Sequence, residues 1–300
     1  MKGKSAAIAW AMALGWLGVA PAGAADEAMV ARGKYLVEGP VACGNCHTPR
    51  GPDMAPIAGM EFAGGFPFME PAFQAFSSNI TPDVETGIGG WTDEEIIHAI
   101  REGANKDGAI IFPPMPVPTY NNMSDDDVKA IVAYLRTVKP VKNEIPQAKY
   151  NMPVAAMPPA KGLPAPPASD KVAYGGYIVN ALAHCMECHT TPSANGVPDF
   201  AGHMGAGGFE IGLGPDASVR TPNITPDPET GIGKWTDEEI KRAIVDGIGA
   251  DGGKLAPPMP YSYLKKMTDE DLDAVVAYLR SIPPIVNKVE RTAFQQKAFP

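Results

Sequence analysis

Cys43-Gly44-Asn45-Cys46-His47 and Cys185-Met186-Glu187-Cys188-His189 stand 142 positions apart, and their reading decides the whole chain. Moving outward, other segments return in the same order. Asn79-Ile80-Thr81-Pro82-Asp83 comes back 144 positions later as Asn223-Ile224-Thr225-Pro226-Asp227. Trp91-Thr92-Asp93-Glu94-Glu95-Ile96 returns as Trp235-Thr236-Asp237-Glu238-Glu239-Ile240, and Pro113-Pro114-Met115-Pro116 as Pro257-Pro258-Met259-Pro260. Val132-Ala133-Tyr134-Leu135-Arg136 returns as Val276-Ala277-Tyr278-Leu279-Arg280. One domain is written twice. Residues 151–169 are rich in Pro and Ala with no apolar period, which reads as a semi-rigid linker. The expected organisation is a leader (1–25), a first domain (26–150), the linker (151–169) and a second domain (170–300).

Each copy reads as all-α with long loops rich in Pro and Gly. Thr92 and Thr236 fit the N-cap of a helix, each with a Glu three residues on and a Trp just before it, the pattern of a capping box with a hydrophobic staple. Ser124 and Thr268 cap a later helix whose first turn is acidic, as the helix dipole favours. Its apolar residues Val128, Ile131, Val132 and Leu135 recur at helical spacing. A further helix is expected before each cysteine motif, over residues 28–37 and 171–181. No strand alternation stands out, and 32 prolines and 32 glycines point to irregular connections.

The start of the chain reads as an export signal: basic Lys2 and Lys4, an apolar run from Ala6 to Ala20, and the small residues Ala22-Gly23-Ala24 at the cleavage point. The run is shorter than the ~20 residues that span a bilayer. The expectation is therefore a periplasmic protein that reaches a membrane only through a partner. The formal net charge of −9 argues against nucleic acid and anionic membrane surfaces, and favours a partner with a basic patch.

Four cysteines in an exported chain would first suggest two disulfides. Their spacing points elsewhere. A Cys-x-x-Cys-His run is the attachment signature of c-type haem: two thiols one helical turn apart reach the two vinyl groups of the porphyrin, and the following His meets the iron. Zinc binding and dithiol redox chemistry are the competing readings of one such motif. Two copies, each followed by His, favour two covalently bound haem c groups, held by Cys43, Cys46 and His47 and by Cys185, Cys188 and His189. Met115 and Met259, stiffened by flanking prolines, are the candidate sixth ligands. Met is also a common core filler, and the other repeated pair, Met123 and Met267, precedes N-caps and suits a staple. His98, His184 and His203 lack a His counterpart in the other copy and are weak candidates for iron. The loops at Pro56 and Pro198 are candidate sources of a carbonyl for the ligating imidazoles. Trp91, Trp235, Asn79 and Asn223 are candidates for haem propionates, or for shaping the local fold.

These residues resemble the class I cytochrome c family. The likeness rests on the Cys-x-x-Cys-His run, the later Met, and Gly33, Tyr35, Tyr134 and Leu135 with their repeats Gly175, Tyr177, Tyr278 and Leu279, which match that family's crossing of first and last helices. The Asn79–Asp83 and Trp91–Ile96 segments are similar to cytochrome subunits of membrane-associated bacterial dehydrogenases acting on alcohols, aldehydes or gluconate. Those subunits usually hold three such domains and a C-terminal membrane-associating segment, whereas two domains are present here and the residues up to Pro300 form no apolar tail. The resemblance implies electron transfer from a periplasmic dehydrogenase toward an oxidase or a small cytochrome. His/Met ligation would raise each potential and leave no vacant iron. The alternative is a di-haem redox enzyme, a peroxidase or a thiosulfate dehydrogenase.

Overall fold

A computed structural model describes residues 22–290, apart from residues 195, 215 and 216. The expected leader thus lies almost wholly outside the described residues. The first half runs α1 (Ala22–Glu38), α2 (Cys43–His47), β1 (Pro67–Glu70), β2 (Phe73–Phe76), α3 (Asp93–Glu102), α4 (Val117–Tyr120) and α5 (Asp125–Leu135), followed by β3 (Lys149–Tyr150). The second runs α6 (Lys171–Tyr177), a π-helical continuation Ile178–Leu182, α7 (Cys185–His189), β4 (Glu210–Gly214), β5 (Ala217–Arg220), α8 (Asp237–Asp246), α9 (Tyr261–Leu264) and α10 (Asp269–Ser281). The architecture is mostly helical and the order of helices repeats.

The helix starts form as their chemistry demands. Thr92 and Thr236 each accept a hydrogen bond from the backbone N–H three residues on, and Glu95 and Glu239 reach back to the cap N–H. Ser124 and Thr268 accept from Asp127 N and Asp271 N. Met123 and Met267, just before these caps, are buried, in keeping with a staple. Arg136 ties the last helix of the first half to the cap of α3, donating to Trp91 O at 2.5 Å and to Asp93 at 2.8 Å. Arg280 does the same to Trp235 O and Asp237.

The frame of each half is the crossing of its first and last helices, α1 with α5 and α6 with α10. A Cβ built on Gly33 would lie 1.8 Å from Ala130 O, and one on Gly175 would lie 1.8 Å from Ala274 O. The backbones touch where the side chains are missing. Tyr134 Oη then closes the crossing by donating to Glu38 at 2.5 Å.

Short strands are the feature the sequence did not announce. β1 pairs antiparallel with β2, Pro67 opposite Phe76, and β3 adds Tyr150 opposite Phe73. β4 and β5 form the corresponding hairpin of the second half. Strands of two to five residues are too brief to print an alternating pattern. The linker, without helix or strand, is bonded along the first half: Met157 N donates to Glu102 O at 2.8 Å and Asn121 Nδ2 to Pro158 O at 2.9 Å.

Gly33→Ala and Gly175→Ala should each destabilise the protein by about 3 kcal/mol, the upper range for forcing atoms into a filled site. Denaturant unfolding of each variant checks this. A change within ~0.5 kcal/mol, the range of a neutral surface substitution, would show that the crossing can relax.

Candidate haem sites

The two cysteine motifs form equivalent single-turn helices. Each is entered through a residue in the left-handed region, Ala42 at φ 53° and His184 at φ 43°. Both helices stand on the wall of a cavity of about 2950 Å³. An ordinary ligand pocket holds ~300–1,000 Å³, so the space suits more than one large group. Cys43, Cys46, His47 and Met115 line it from the first half, and Cys185, Cys188, His189 and Met259 from the second. The structure thus brings all eight predicted site residues onto one cavity. Its walls are largely apolar, with Ile80, Ile88 and Leu135 and their repeats Ile224, Ile232 and Leu279. The hairpins cover it, through Phe68 and Ala75 in one half and Ile211 and Val219 in the other.

The four cysteines form no disulfide. Burial pushes the Cys43 thiol up to about 12, Cys46 to about 11, and Cys185 and Cys188 to about 12. Such thiols stay protonated near neutrality, opposite to the thiolate that dithiol exchange requires. Among the described residues no three His, Cys, Asp or Glu side chains converge as a metal cluster would need. The donor set of each half, two thiols and an imidazole from one short helix on an apolar cavity, fits haem c.

The histidine rings are aimed by backbone carbonyls. His47 Nδ1 lies 2.7 Å from Ser78 O, and His189 Nδ1 lies 2.9 Å from Pro222 O. A carbonyl only accepts, so Nδ1 carries the proton and Nε2 presents its lone pair, the tautomer an iron ligand needs. Burial lowers the pKa of both rings, with the carbonyl bond acting the other way. This corrects the expectation for Pro56 and Pro198. Those residues form isolated bridges with Arg50 and Pro192, closing small loops of their own.

The accepting carbonyls immediately precede Asn79 and Asn223, which explains those residues. Asn79 Nδ2 donates to Thr86 Oγ1 at 3.1 Å and Val141 O at 2.8 Å, while its Oδ1 accepts from Thr81 N and Thr81 Oγ1. Asn223 repeats this with Thr230, Ile285 and Thr225. Both amides are spent on the fold, pinning the strand of chain that offers the carbonyl. Gly64 and Gly207, at φ 74° and 71°, let the backbone after each hairpin-side loop press against this segment; their N–H groups donate to His47 O and His189 O.

Trp91 and Trp235 line the cavity as well as preceding their caps. The remaining histidines stand apart from the repeated set. His98 is 46% exposed and pairs with Glu102 at 2.8 Å, and His203 is 54% exposed and pairs with Asp199 at 2.7 Å. His184 lies on the cavity wall with its ring edge-on to Tyr120, 6.1 Å between centroids. Glu187, inside the second motif, escaped the sequence reading; burial raises its carboxyl to about 7. Only its position between Cys185 and Cys188 could have flagged it. No helix among the described residues is long and apolar enough to cross a membrane.

Residues 30–139 and 173–283 each match the cytochrome c family. The chain is 34% identical over 288 residues to the cytochrome c subunit of a quinone alcohol dehydrogenase from Gluconobacter oxydans, covering 89% of this chain and 58% of that protein. It is 34% identical over 275 residues to a fructose dehydrogenase cytochrome subunit from Gluconobacter japonicus, covering 86% and 54%. A diheme cytochrome c-type protein from Cereibacter sphaeroides is 27% identical over 257 residues, covering 81% and 82%. The chain thus spans a little over half the length of the dehydrogenase subunits it resembles.

Asn79→Ala should cost about 2–3 kcal/mol, because it leaves Val141 O and the Thr81 turn short of partners in a buried site. Unfolding of the holoprotein, followed at the haem and in the far ultraviolet, checks this. Stability equal to the parent would show that the segment holding Ser78 O stands without the amide.

Proposed function

We propose that this chain, which belongs to the cytochrome c family through both of its halves, is a periplasmic carrier that takes electrons from a dehydrogenase and passes them toward a terminal oxidase or a small cytochrome. It carries two haem c groups, one for each cysteine pair. The observation that carries the reading is the placing of a Cys-x-x-Cys-His helix and a proline-flanked Met from each half on one apolar cavity. In this reading Cys43 and Cys46 hold one haem by thioether bonds and Cys185 and Cys188 the other. His47 and Met115 ligate the first iron, and His189 and Met259 the second. A bound haem supplies one reversible electron per iron.

The chain's own residues do the rest. The carbonyls of Ser78 and Pro222 hold each imidazole in one tautomer and one orientation. Pro114 and Pro116, and Pro258 and Pro260, limit the movement of the Met between them. Ile80, Ile88, Leu135 and their repeats exclude water, which together with a Met ligand favours a high potential. Two protein ligands on each iron leave no coordination position for peroxide or thiosulfate. The similarity to alcohol and fructose dehydrogenase subunits supports a dehydrogenase as donor, and the acidic charge supports a donor with a basic docking face.

Met115→Ala and Met259→Ala test this. Each should abolish half of the weak far-red methionine–iron absorption of the oxidised protein, lower one of the two potentials and open that iron to cyanide. A spectrum unchanged in either variant would remove that Met as a ligand. Rapid peroxide turnover by the parent protein would overturn the carrier reading.

A further inference from the structure

The two halves meet through contacts that are copies of each other. Tyr35 Oη, on α1, donates to Asp271 Oδ2 at 2.5 Å and lies 3.4 Å from Thr268 N, at the start of α10. Tyr177 Oη, on α6, donates to Asp127 Oδ2 at 2.8 Å and accepts from Ser124 N at 3.0 Å, at the start of α5. Tyr35 and Tyr177 are repeat equivalents, as are Ser124 and Thr268, and Asp127 and Asp271. Each half therefore offers its first-helix tyrosine to the last-helix cap of the other. This is the reciprocity of a two-fold interface, in which residue i meets j and j meets i, built here inside one chain. Burial first, and the neighbouring carboxylate second, raise both phenols far above the usual tyrosine range, so both remain donors.

The segments around the two haem sites also meet, through contacts that are not repeat equivalents. Tyr120 of α4 packs edge-on to His184, the residue before α7. In the other direction, a Cβ on Gly44 of α2 would lie 2.8 Å from Tyr263 Oη of α9. The attachment helix of each half thus abuts the segment that follows the candidate Met ligand of the other, and the buried apolar residues of both halves join in one cluster. Any slip at the interface changes the distance between the two haem-binding walls.

We propose that Tyr35 and Tyr177 are positioning residues: their hydroxyls latch each half to the helix cap of the other and hold the two haem sites at one fixed separation for electron exchange within the chain. The inference rests on the carrier reading. In the latch, the tyrosine rings supply apolar packing and the hydroxyls supply direction, so Phe keeps the first and removes the second. A hydrogen bond to a charged acceptor is worth about tenfold in an equilibrium, and removing both should raise the share of slipped arrangements about a hundredfold.

The test uses the holoprotein with both haems attached and compares the parent with Tyr35→Phe/Tyr177→Phe. Two readouts are taken: the rate of electron exchange between the haems after flash reduction, and the radius of gyration from small-angle scattering. The latch predicts that the double variant exchanges more slowly or in two phases and expands, while its haem absorption stays that of the parent. Exchange and radius both equal to the parent's would overturn it, even if the melting temperature fell. If the double variant does not accumulate, the single variants serve, each expected to show a smaller change of the same kind; two parent-like single variants overturn the latch as well. Absence of exchange in the parent itself would instead sink the carrier reading, and the scattering comparison would then decide the latch alone.

Discussion

The contact on which the rest of the structure depends is between two helix backbones. At Gly33 and at Gly175 the first helix of each half rests on the carbonyl of a residue in its last helix, where even a methyl group would collide. That contact sets the angle of the last helix, whose apolar face then forms a cavity wall through Leu135 and Leu279. Just before the cap of that helix, Met123 and Met267 are buried. The cap in turn receives the tyrosine of the other half. Removing the crossing would unseat the cavity wall and the interface together.

The parts of this arrangement that are local in sequence were legible in it. A capping box spans four residues, and a cysteine motif five, so their residues carry the pattern directly. The crossing came from the resemblance to the class I cytochrome c family, carried by Gly33 and Tyr134 and their repeats. What stayed hidden depends on residues far apart. His47 finds Ser78 O 31 positions away and His189 finds Pro222 O 33 away, while the nearer Pro56 and Pro198 only close small loops of their own. The Asn79 and Asn223 segments were visible as repeats, but their purpose was not: the amides are consumed in tying the end of each half back to its middle. The hairpins were hidden for a different reason. Their strands are too short for periodicity, and the pairing of Tyr150 with Phe73 comes from residues read as the approach to a linker.

Duplication accounts for much of the function proposed. A single half would leave its attachment helix and its first-helix tyrosine exposed. Two halves cover these surfaces by the same contacts used twice, and the cover leaves both haem-binding walls facing a common space. The copies are not identical. Arg32 holds Asp127 at 2.8 Å in the first half, while the equivalent position in the second is Tyr174, stacked on Tyr177. His98 becomes Arg242, and Ala42 becomes His184. Such differences place unlike side chains around two otherwise matching halves.

The account turns on two irons that are both fully ligated and both free to change oxidation state. A reductive titration of the holoprotein, followed by absorption, tests this most directly. The account predicts uptake of two electrons per chain in two steps, with both haems low-spin in every state. Uptake of a single electron, or a high-spin iron in either half, would contradict it.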